Sequence, residues 1–131
     1  MKVDTDRAAL AALIHLPDCI GDVRYLVRPM APPGAFAIGP TTLQLVVFAA
    51  DPIDDAALAA ALGAPRGDGS RSIDDVVAQM LAPALAPGWG HQEHDAVVAG
   101  IEYPARALET SWRYGWVIRA AGGVVMSFLR G

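Results

Sequence analysis

Apolar and polar positions along the chain are most regular in its last third. Trp116 to Leu129 alternates large apolar residues with one another at a period of two, and Tyr103 to Trp112 is similarly rich in strand-forming types. Together they predict an antiparallel β-unit. Gly122-Gly123 stands where a two-residue hairpin turn belongs, because a type I′ connection needs positive φ at both central residues. With that turn, Trp116, Ile118 and Ala120 share one side with Val125 and Leu129. Val117 and Ala121 share the other with Val124, Met126 and Phe128. Neither side is polar, so the ribbon is expected to be covered on both faces.

Thr41 to Ala50 is the second clear strand, with Leu43, Leu45, Val47 and Ala49 on one face and Val46 and Phe48 on the other. Val23, Tyr25 and Val27 predict a strand of two unequal faces, and Arg28 to Gly34, broken by prolines, predicts a loop or a sheet edge. Asp4-Thr5-Asp6 is expected to cap a helix that runs to Leu16 and stops at Pro17. Asp51-Pro52 opens a second helix that closes at Gly63, with Pro52 at its first position. Ala64 to Arg71 reads as an exposed, mobile loop. Ser72 to Leu85 follows as a helix begun by a capping-box-like Ser72-Ile73-Asp74-Asp75. His94 to Ile101 adds a strand. The order of elements indicates α+β rather than an alternating parallel design.

Composition narrows the class. The 131 residues make one domain, residues 1–131, and the 53% hydrophobic content sits with only 18% charged residues. No apolar run approaches the ~20 residues of a membrane span. The formal net charge of −4, with its ten basic residues scattered, argues against nucleic acid as a partner. A single cysteine, Cys19, excludes an internal disulfide, and acids at the amino terminus replace the basic start of a secretory signal. The expected location is cytoplasmic.

Val97 to Trp112, then Trp116-Val117-Ile118-Arg119 and Val124-Val125-Met126-Ser127-Phe128, resemble the end of Mog1/PsbP-like domains. Ser72 to Leu85 looks like the long helix of that family, and Leu43 to Ala49 like its central strand. The resemblance implies an α/β/α sandwich, an antiparallel sheet covered by helices on both faces, used for binding rather than catalysis. Among bacterial members the chain looks most like small cytoplasmic chaperones of type VI secretion effectors, which shelter apolar effector segments. It departs from them at its amino-terminal helix and its Pro29 to Pro40 loop. No catalytic residue and no cofactor follow from the likeness.

Candidate chemistry is sparse. His91, Glu93 and His94 form the tight cluster of metal-ligand types, which on one helical turn would face a common ion. Their flanking glycines and the lack of a further marked ligand favour a polar connection. Cys19 with His15 and Asp18 holds the residue types of a thiol nucleophile, yet Pro17 intervenes. Arg66-Gly67-Asp68-Gly69-Ser70 lacks the lysine of a phosphate-binding loop. Trp112, Tyr114 and Trp116, with Trp89, are the partner-binding candidates, an aromatic corner packed around an expected turn.

The sequence therefore points to a non-catalytic protein-binding domain, a chaperone or adaptor for a protein or peptide, with homo-oligomers left open. The alternatives are a small-molecule or metal-binding enzyme centred on His91, Glu93 and His94, or an immunity protein that occludes a toxin.

Overall fold

The alternating segments pair into a single antiparallel sheet in the computed structural model, which describes residues 2–30 and 42–131. Its strands are β1 (Val23–Met30), β2 (Thr42–Ala50), β3 (Gly67–Asp74), β4 (Gly90–Gln92), β5 (Asp95–Tyr103), β6 (Arg113–Ala120) and β7 (Gly123–Arg130). They lie in the order β1-β2-β7-β6-β5-β3. The short β4 shares one edge of β5 with β6: Gln92 pairs with Asp95 at the start of β5, and Arg119 pairs with Ile101 towards its end.

Period-two alternation sorts side chains to opposite faces of this sheet. Leu45 and Val47 of β2, Val117 of β6, and Met126 and Phe128 of β7 enter one buried cluster. Val46, Phe48, Ile118 and Val125 enter a second cluster on the other face. Both sides of the central strands are thus dry, as the pattern of residues 43–49 and 116–129 required.

Three short helices accompany the sheet: α1 (Arg7–Ala11), α2 (Asp55–Leu62) and α3 (Asp75–Leu81). Each begins at an aspartate, Asp6, Asp54 or Asp74, whose carboxylate accepts hydrogen bonds from two backbone amides of the first turn. Leu10, Leu58 and Leu62 pack on the first cluster, whereas Val77, Ala78 and Leu81 pack on the second.

The expected α/β/α sandwich is corrected by this architecture. Strands hold 45% of the described residues and helices 22%, so the protein is mostly antiparallel sheet and not a sheet covered by helices. The main cause is the segment from 64 to 85. Residues expected to form a mobile loop and the first turn of a long helix instead form β3, paired with β5 from Gly67↔Glu102 to Asp74↔Asp95. Helix α3 starts only after Asp74 and ends at Leu81.

Other boundaries move for local reasons. The first helix spans Arg7–Ala11 rather than reaching Leu16, and Asp6 caps it. The second starts at Asp55, since Asp54 takes the capping role while Asp51 ion-pairs with Arg119 at 2.7 Å. Strand β5 stops at Tyr103, and Pro104 to Trp112 forms a connection containing a 3₁₀ turn, Arg106–Leu108. The β6–β7 turn is Ala121-Gly122, because Ala120 pairs with Gly123 and only Gly122 takes a positive φ, 92°. Arg28, Pro29 and Met30 do lie on a sheet edge, in β1. The remainder of the proline-rich stretch, to Pro40, lies outside the described residues.

Candidate functional site at the β6 bulge

Between Arg113↔Leu129 and Trp116↔Ser127, strand β6 contributes Tyr114 and Gly115 where β7 contributes only Phe128. That is a β-bulge, an extra residue that re-aims what precedes it. Tyr114 adopts φ +53°, in the left-handed region, at a bulge position that ordinarily takes glycine. Holding a non-glycine residue there costs about 1–2 kcal/mol. Gly115 cannot be replaced without movement: a Cβ on it would lie 2.7 Å from the Phe128 ring and 2.9 Å from Ala105 Cβ.

The approach to the bulge is pinned from several directions. Glu109 Oε2 accepts a hydrogen bond from the Gly115 amide at 3.0 Å. Thr110 Oγ1 donates to the Leu13 carbonyl and accepts from the Trp112 amide. These contacts frame a depression of about 580 Å³ lined by Arg106, Glu109, Thr110, Arg113, Tyr114 and Gly115. Arg106 and Arg113 are exposed, and among the described residues neither has a hydrogen-bonded or ion-paired partner for its guanidinium. Tyr114 is 81% exposed.

The expected aromatic corner is divided by the bulge. Trp112, only 3% exposed, belongs to the first buried cluster, while Trp116 and Trp89 are half-buried and pack against the second. In a regular strand Trp112, Tyr114 and Trp116 would share a side. One inserted residue reverses that parity. Of the four candidates Tyr114 alone is largely open to a partner, and Trp112 is a core residue. Its indole Nε1 is buried without a hydrogen-bond partner, and the Arg130 guanidinium lies 5.8 Å from its ring centroid, a cation–π contact.

The histidine cluster is not on a helix. His91 lies on β4, and Glu93-His94 forms the two-residue turn between β4 and β5, with Glu93 at φ +56°. His91 Nδ1 meets Asp75 Oδ1 at 3.1 Å. Among the described residues no group of three or more His, Cys, Asp and Glu side chains is placed to hold a metal. The thiol reading also fails on its chemistry. Burial, reinforced by Asp54 and Asp18, pushes the Cys19 thiol up, which is the reverse of an activated nucleophile. His15 is exposed, its backbone amide donating to the Leu108 carbonyl. Of the Arg-Gly-Asp triplet, Gly67 and Asp68 begin β3 and Arg66 immediately precedes it.

The bulge was the structural feature of the candidate site that the sequence pattern concealed. Its one signal was Gly115, a glycine interrupting an otherwise strand-like run, which marks a bulge or a close backbone approach. Chemically, the arrangement offers two open guanidinium groups and a phenol beside a carboxylate already engaged by the backbone. It suits the binding of an anionic or polar group.

Comparison with protein-family profiles, with curated proteins and with solved structures finds no match for this chain. No helix among the described residues is long and apolar enough to cross a membrane.

Proposed function

We propose that this chain is a non-catalytic protein-binding domain, of the adaptor or chaperone kind, whose contact surface centres on the β6 bulge. The observation that carries the reading is Tyr114, 81% exposed and held at φ +53° beside two arginines that have no side-chain partner among the described residues. Strain of this sort persists where the surrounding structure over-determines it, and such positions cluster at ligand clamps and switch sites. An aromatic side chain with a polar tip also gives a contact surface both area and a hydrogen bond. The single cysteine supports a reducing, cytoplasmic setting.

A photo-crosslinking residue placed at position 114, and in a second variant at exposed Ser70 on β3, tests the reading in the native cell. One dominant protein adduct from position 114, absent from position 70, is the expected result. Equal labelling from both positions, or none from 114, defeats it.

A further inference from the structure

We propose that the depression beside the bulge is a carboxylate-binding site, and that the partner segment seated in it is an acidic peptide; this rests on the protein-binding reading above. Five arginines are tied to other parts of the fold. Arg7 donates to the Ile20 and Pro17 carbonyls, and Arg24 to the Leu81 and Met80 carbonyls. Arg28 pairs with Asp74, Arg71 with Glu102, and Arg119 with Asp51 and Asp55. These guanidinium groups hold the fold together.

Among the described residues Arg106 and Arg113, like the exposed Arg66, do neither, and Arg106 and Arg113 border the same depression. The carboxylate that lines it, Glu109, is turned to the Gly115 amide. An incoming acid therefore meets two open guanidinium groups. Each presents planar donors that match a carboxylate in bidentate fashion, a match a point charge such as lysine would not give. The bulge supplies the geometry, because the extra residue brings Arg113 onto the same face of the sheet as Trp116, opposite to Trp112, and leaves Tyr114 exposed at the rim.

A peptide fits better than a long polyanion. The chain carries a net charge of −4, so a nucleic acid or an anionic bilayer would be repelled by most of the surface while being attracted at one spot. A short acidic segment engages the spot alone, with its backbone and aliphatic carbons against the Tyr114 ring.

The test is an amide-resolved NMR titration of the protein with a hexaglutamate peptide. Saturable shifts centred on Thr110 and Gly115 are expected, with Kd weakened about tenfold in an Arg106→Gln/Arg113→Gln variant. A Lys2→Gln/Arg66→Gln variant removes the same charge elsewhere and is expected to bind as the parent does. Equal weakening in both variants, or shifts spread over every basic residue, overturns the proposal. Inorganic phosphate at equal concentration reproducing the peptide's shifts also overturns it, by assigning the depression to a small anion. Hexaglutamate failing to bind while the position 114 adduct persists removes the acidic ligand and leaves the protein-binding reading standing. Binding of hexaglutamate with no adduct from 114 does the reverse.

Discussion

At its carboxy-terminal end β6 delivers Arg119 to Asp51 and Asp55 and a regular register to β7, whereas at its amino-terminal end it delivers Arg113 to solvent beside a bulge. The Arg119 side chain is only 15% exposed, and it also donates to the Ile53 carbonyl. Everything at that end is matched: charge with charge, amide with carbonyl, apolar face with apolar face. At the other end the guanidinium groups are unmatched and the backbone is strained. A single strand thus serves stability at one end and leaves interaction capacity unused at the other. Local rules are kept where the fold closes and broken at the bulge, where the contact surface is proposed.

The two ends of β6 differ most at the glycines beside them, Gly123 opposite Ala120 and Gly115 in the bulge. A Cβ on Gly123 would collide with the Ala49 backbone oxygen and crowd the Phe48 ring, while one on Gly115 would meet only side chains, Phe128 and Ala105. Gly123→Ala is expected to cost about 3 kcal/mol and Gly115→Ala about 2 kcal/mol, read by chemical denaturation. Equal costs would show that the buried Phe128 ring is as unyielding as a strand backbone.

The arginines give the next largest difference. Arg119→Gln removes charge-assisted hydrogen bonds from a largely covered site and is expected to destabilise by about 2 kcal/mol. Arg113→Gln on the open surface is expected to stay within about 0.5 kcal/mol. A destabilisation by Arg113→Gln as large as that by Arg119→Gln would make Arg113 a structural residue and cancel the contrast.

Smallest is the strain itself. Tyr114→Gly relieves the left-handed conformation and is expected to stabilise the protein by about 0.5–1 kcal/mol, part of the gain being offset by the greater freedom of glycine in the unfolded chain. Thermal unfolding of that variant at or below the parent midpoint would show that the tyrosine ring contributes more packing than its exposure suggests.

The faces of β2, β6 and β7 were legible because their short, β-branched apolar runs, bounded by glycine or proline, mark strands buried on both sides, and a period of two then sorts the residues between the two clusters. The assignment of side chains to faces in the β6–β7 hairpin survived a misplaced turn for a simple geometric reason. Centring the turn on Ala121-Gly122 instead of Gly122-Gly123 moves the pairing by two residues, which leaves every side chain on its expected face. Strand β3 was illegible, since Gly67 to Ser72 carries no apolar alternation and becomes a strand only through its pairing with β5. The same hidden strand shortened the helix expected from Ser72 and, with it, removed the case for a helix-covered sandwich.

The site was half legible. The run Trp112 to Trp116 stood out by composition, but composition does not show that one inserted residue sends Trp112 into the core and leaves Tyr114 outside. The spacing of His91, Glu93 and His94 misled in a related way. The same three residues converge on a helical turn and diverge on a strand end followed by a tight turn.

Strand β2 lies between β1, its neighbour in sequence, and β7, so that Val46 stands in register with Leu26 on one side and with Ser127 on the other. The first of these pairings joins strands made early in synthesis, within residues 23–50. The second has to wait for the seventh strand. Until β7 emerges, the nascent β1–β2 ribbon presents a long apolar border with unanswered amides and carbonyls, the kind of surface that invites clumping at the concentrations of a cell.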